Sequence, residues 1–150
     1  MSTAQEQGER ERRALATFVK LLRATETVTA NTHRHLAQSG LTISQFAVLE
    51  VLLHRGPLCQ RDIGRKILKS GGNITLVIDN LERRGLVQRT RTAGDRRYVS
   101  VDLTATGRSL IEQLFPRQAA KITAELAVLT AEEQDELARL CRKLGLKQQA

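Results

Sequence analysis

Between Arg55 and Arg108 the chain carries twelve Lys/Arg against five Asp/Glu, and two of the arginines, Arg96 and Arg97, are adjacent in the stretch RTRTAGDRRYVS (residues 89–100). Gly94 and Asp95 suffice for a turn there. A pair of guanidinium forks is chemistry for phosphate oxygens and base edges. The residues outside this middle third hold twelve basic against eleven acidic side chains, so nearly all of the net charge of +8 sits in one region. A basic middle between near-neutral flanks is the electrostatic footprint of a nucleic-acid partner. No Ser/His/Asp order, metal-spaced cluster or phosphate loop stands out. The expectation is therefore a binding protein rather than an enzyme, with no cofactor and no metal.

Size and composition bound the rest. At 150 residues and 41% hydrophobic content, a single folding unit with a real core is expected. No run of about 18 apolar residues could span a bilayer. The start, MSTAQEQGERERR, lacks the apolar centre of a secretory signal, and the two cysteines, Cys59 and Cys141, lie far apart. A cytoplasmic, disulfide-free protein with no membrane partner is expected.

The elements that must position the arginines follow from periodicity. Leu15, Phe18, Val19 and Leu22 have helical spacing, predicting a long helix over residues 10–38 that ends at Ser39-Gly40. TISQFAVLEVLLHR predicts a second helix, capped by Thr42 or Ser44 and stopped by Gly56-Pro57. A short helix over 60–68 and another over 73–84, separated by SGG, make a helix-turn-helix. Residues 86–91 and 97–103 alternate as hairpin strands. Thr104 or Thr106 opens a long helix that Pro116 should bend, and Thr130 with Glu133 opens a last one carrying Leu137, Leu140, Cys141 and Leu144 inward. The fold class is thus mainly α with a small β-hairpin wing: a winged helix-turn-helix flanked by long N- and C-terminal helices. In such a module the second helix of the pair reads the major groove, and an arginine at the wing tip reaches the narrow, negative minor groove.

In that order, LTISQFAVLEVL, ILKSGGNITLVIDNLERRGLVQR and GDRRYVSVDLTATG resemble the MarR family of bacterial transcriptional regulators, over roughly residues 10–145. The resemblance implies one domain over residues 1–150, with 10–40 and 104–147 as dimerisation helices and 41–103 as the DNA-binding winged helix. It also implies a homodimer on a pseudo-palindromic double-stranded DNA operator, with repression relieved by a small molecule or an oxidant. Independently, the terminal helices carry more apolar surface than one small winged helix covers, which favours a two-fold dimer.

By position the resemblance assigns Ser70, Asn73 and Thr75 to the major groove and Arg96 or Arg97 to the minor groove, with Asp95 orienting the guanidinium. Strand alternation puts the two arginines on opposite faces. Arg96 is taken as the inserting residue and Arg97 as pairing back to an acid such as Asp79. Leu76 and Asn80 stand where family members often carry basic residues, so base reading is expected to rest on Asn73, Thr75 and Asn80. Lys66 and Lys69 are expected on phosphate, and Arg83 and Arg84 on phosphate or solvent.

The apolar stripe of the first helix continues as Thr25, Glu26, Thr29, Thr32 and His33, polar residues expected to point inward. Thr25, Thr29 and His33, with apolar walls from Phe46, Leu49 and Leu114, would suit a small aromatic or phenolic effector. Cys141 reads as a small core residue. Cys59 precedes the third helix, and a helix N-terminus favours a thiolate, so a thiol-based redox sensor is one alternative. The oxidant-sensing members of the family carry their cysteine early in the first long helix, where this chain has none. A non-specific architectural DNA-binding protein is the other alternative.

Overall fold

The computed structural model describes residues 2–67, 71–91, 94 and 98–146. Chain contacts divide it into two compact units: the described parts of Met1–Thr32 with Ala120–Ala150, and His33–Ala119. Among the described residues no single helix is long and apolar enough to cross a membrane.

In the second unit, a 3-10 turn over Arg34–Ser39 ends at Gly40, whose left-handed backbone (φ 73°) sends its N–H back to Ala37 O, while Leu41 N returns to Leu36 O at 3.4 Å. Helix α2 (Ile43–Arg55) opens on a capping box: Gln45 N donates to Thr42 Oγ1 at 3.1 Å and Thr42 N to Gln45 Oε1 at 3.0 Å. It stops at Gly56, also at positive φ. Strand β1 (Leu58–Cys59) follows, then helices α3 (Gln60–Ile67) and α4 (Gly71–Arg83). Gly71 and Gly72, expected in the turn, belong to the first turn of α4. Gly85 ends that element in the left-handed region (φ 71°), with Leu86 N bonded to Leu81 O at 3.0 Å.

The wing strands are β2 (Val87–Arg91) and β3 (Val99–Leu103), antiparallel, with Val87 opposite Leu103 and Arg91 opposite Val99. The sheet has three strands in the order β1-β3-β2, because Leu58 and Cys59 pair with Val101 and Ser100 on the other edge of β3. Two residues are too few to show an alternation, which is why periodicity gave no sign of β1.

Helix α5 (Ala105–Leu126) starts from Thr104, which ties three elements together. Its N–H donates to Leu86 O at 3.1 Å, its hydroxyl donates to Gly85 O at 2.6 Å, and the same oxygen accepts from Gly107 N at 3.0 Å. All sixteen buried hydrophobic side chains among the described residues, from Leu36 to Leu114, lie within this unit and form one core.

The first unit comprises α1 (Ser2–His33), the end of α5 and α6 (Ala131–Leu146). Helix α1 starts earlier than residue 10, because Ala4, Gln5, Glu6, Gln7 and Glu9 favour helix and outweigh Gly8. Thr130 and Glu133 cap α6 reciprocally, at 3.0 and 3.2 Å. Here the expectation of inward burial fails: Leu137, Leu140, Cys141 and Leu144 are exposed, as are Leu15, Phe18, Val19 and Leu22. Thr25 and Glu26 are exposed as well, Thr29 and His33 are half-buried, and only Thr32 is buried. The periodicity is right, but none of the described residues covers these positions.

Gly107 marks a close approach that only glycine allows, since a Cβ there would collide with the Leu86 carbonyl, which is backbone and cannot swing aside. Gly107→Ala should lower unfolding stability by about 2–4 kcal/mol. Denaturant titration checks this, and an unchanged midpoint would show that α5 can retreat from Leu86 at no cost.

Candidate nucleic-acid interface

Helix α4 buries Ile74, Ile78 and Leu81 and leaves Asn73, Thr75 and Leu76 exposed, with Asn80 half-buried and Arg83 exposed further along. Helical spacing gathers Asn73, Leu76, Asn80 and Arg83 on one outward face. Arg83 Nη1 donates to Asn80 Oδ1 at 3.2 Å, a bond that does not use the Asn80 amide nitrogen as a donor. Lys66 is exposed near the end of α3. Lys69, Ser70, Asp95, Arg96 and Arg97 lie outside the described residues.

Beneath that face is a polar network centred on Arg89. In β2, Arg89 shares its side with the buried Val87, and its side chain is only 23% exposed. A guanidinium in that position needs partners. Its Nη2 lies 2.6 Å from Asp79 Oδ1 and 3.3 Å from Gln60 Oε1, its Nη1 lies 3.0 Å from Glu82 Oε1, and its backbone N–H donates to Glu82 Oε2 at 3.1 Å. Gln60, at the start of α3, donates in turn from Nε2 to Thr75 Oγ1 at 2.5 Å. One side chain therefore joins the wing strand, the reading helix and the helix before it, and its second neighbour is Thr75.

Asp79, expected to pair with Arg97, pairs with Arg89; Arg97 itself lies outside the described residues. The sequence carried the signal for this, because alternation from Val87 places Arg89 on the inward face. Arg84 is likewise no free phosphate ligand: its guanidinium donates to Gly40 O at 2.8 Å and to Ser39 O at 3.5 Å, closing the end of the 3-10 turn. Gln60, Arg84 and Arg89 are the structural residues of this interface that periodicity passed over.

The residues expected around an effector fall in both units. Thr25 donates its hydroxyl to Leu21 O at 2.8 Å, one turn back in α1, and Thr29 lies on the next turn. His33 closes α1 and belongs to the second unit, as do Phe46, Leu49 and Leu114, which are buried members of its core. Cys59 is half-buried in β1, directly before α3.

Comparison with known proteins agrees with this geometry. Residues 41–99 match the model of the MarR family. The chain is 35% identical to the HTH-type transcriptional regulator MhqR of Bacillus subtilis over 89% of its length and 92% of the relative's. Its fold superposes with a TM-score of 0.76 and 29% identity on BpsR of Bordetella bronchiseptica, covering 83% and 89% of the two chains; that structure addresses regulation of DNA binding by 6-hydroxynicotinic acid. NadR in complex with 4-hydroxyphenylacetate matches at TM-score 0.71 and 27% identity, covering 84% and 89%.

Removing the hub should loosen the reading helix before it unfolds the chain. Arg89→Ala is expected to cost about 1–2 kcal/mol, modest because both carboxylates are partly solvated. Amide hydrogen exchange in α4 should accelerate more than exchange in α2. Uniform exchange in the two helices would refute a local role for Arg89.

Proposed function

The chain belongs to the MarR family, whose relatives here are transcriptional regulators, and from that premise we propose that it is a homodimeric repressor released from its operator by a small hydroxylated aromatic acid. The observation that carries the reading is the outward face of α4, where Asn73, Thr75 and Asn80 stand clear of the core on a helix of the right length for a major groove. With Ser70 they are the proposed base and backbone contacts. Lys66 and Lys69 neutralise phosphate, and Arg96, oriented by Asp95, enters the minor groove. Arg97 would pair back to an acid of the module such as Asp79 and hold the wing in place.

The dimer reading rests on where apolar surface is left uncovered. Ten of the thirteen exposed large hydrophobics among the described residues lie in the first unit, on α1, the end of α5, α6 and their connection. A second copy of the same helices covers them at least entropic cost and sets two reading helices on successive turns of a duplex. The effector reading is supported by the two hydroxylated aromatic acids named with related structures and by Thr25, Thr29 and His33 on successive turns of α1. His33 would donate to the effector's carboxylate or phenolate. Binding releases the DNA only through a difference in affinity between two states of the protein.

Two experiments decide these readings. Purified protein on the promoter beside its own gene is titrated with phenols, aromatic acids and quinones at fixed salt. At least one hydroxylated aromatic acid should weaken binding tenfold or more, roughly the coupling of known allosteric pairs, and release by none would remove the effector. Separately, Phe18→Glu, a charge on the exposed stripe of α1, should shift sedimentation from dimer to monomer and cut operator affinity; an unshifted dimer would place the interface elsewhere.

A further inference from the structure

The most outward residue of the reading helix is apolar. At 3.6 residues per turn, Ile74, Ile78 and Leu81 mark the inner side of α4, and Leu76 points almost directly away from them. Asn73 lies one turn before it, Asn80 one turn after, and Arg83 two turns after. Leu76 is 60% exposed, the most exposed large hydrophobic among the described residues of the second unit.

A leucine so placed does nothing for the core, which is complete without it, and nothing for solubility. Its apolar surface becomes useful only when the face of α4 is covered. The polar residues around it are already oriented: Thr75 accepts from Gln60, and Asn80 accepts from Arg83. The covering surface must therefore meet a row of amide and guanidinium donors with one apolar spot at its centre. Along the edge of a major groove the apolar feature is the C5-methyl group of thymine, set among acceptors such as N7, O6 and O4. The basic surroundings make a nucleic acid, rather than an apolar protein surface, the complementary occupant.

We propose that Leu76 is a specificity-determining residue that reads the C5-methyl of a thymine in each half-site. The proposal rests on α4 being the reading helix and adds which chemical group its central position recognises. Contact with the methyl excludes water from both groups and gives affinity where thymine stands, while cytosine at the same position offers an amino donor and no methyl.

The test separates the methyl from everything else in the base. Duplexes selected from a random pool by the full-length wild-type chain define its preferred site. Each thymine of that site is replaced in turn by deoxyuridine, which removes the methyl alone, and affinities of wild type and Leu76→Ala are measured at one salt concentration. At one thymine per half-site the loss of the methyl should weaken wild type about fourfold, the worth of burying one methyl group, and should leave Leu76→Ala unaffected. Equal losses for both proteins at every thymine would overturn the proposal, as would unchanged affinity of Leu76→Ala for the selected site. A change in sedimentation of Leu76→Ala without DNA would also overturn it, by making the residue an interface between copies. Leu76→Gln, which keeps chain length and helix propensity, should likewise lose the uracil effect while retaining the wild-type melting temperature. If the wild-type chain selects no sequence and binds all duplexes equally, the operator-binding reading falls and the proposal with it; if it selects a site without a Leu76-dependent thymine, the proposal falls alone.

Discussion

A guanidinium on the inward side of a strand is the constraint from which the reading module takes its shape. Arg89 sits where alternation gives Val87 a place in the core, so its charge must be met by partners inside the unit. Asp79 and Glu82 meet it from α4, and Gln60 from the start of α3. The roll of α4 about its axis is thereby fixed relative to the strand that leads into the wing. Each residue along a helix turns about 100°, so a slip of one position would carry Leu76 and Asn80 off the outward face. The hub fixes which side chains the helix offers to a partner, and its contribution to total stability is secondary.

At the other end of the wing the same control comes from neutral groups and close approach. Thr104 closes the return of the chain with three hydrogen bonds, and Gly107 lets α5 lie against the Leu86 carbonyl. Neutral bonds are worth only about 1 kcal/mol each, so the exclusion of a Cβ is the stronger restraint. The wing is held at both feet by different physics, charge at β2 and steric fit after β3.

Caps, stops and buried faces were legible in the sequence because each is local. Thr42 with Gln45, Thr130 with Glu133, and Gly40, Gly56 and Gly85 announce element ends within a few residues. The apolar face of α4 followed from spacing alone. Partners were only half legible: several arginines lay within hairpin reach of Asp79, and although alternation put Arg89 on the inward face, the three-dimensional register is what brings it to Asp79. Cys141 and its leucine neighbours show the same limit in another form. Their helical period is real, yet a period says only that one face is apolar and leaves open what covers it. In the proposed dimer a second chain would cover α1 and α6, and no reading of one chain's pattern could supply that surface.

The uneven distribution of the core has a consequence for how function and stability separate. Every buried hydrophobic among the described residues lies in His33–Ala119, together with the Arg89 hub and the Thr104 lock. That unit has its own core and needs no second copy to order α4. The first unit, with its leucines and Phe18 exposed, gains its burial only on association. In the proposed dimer, pairing would raise DNA affinity by linking two weak half-site contacts, because the second contact forms at high effective concentration once the first is made. A single reading unit would keep its preference for particular bases and lose mainly its strength. On the proposed function, specificity would thus reside in α4 and the residues that set its roll, and affinity in the helices that carry almost no core of their own.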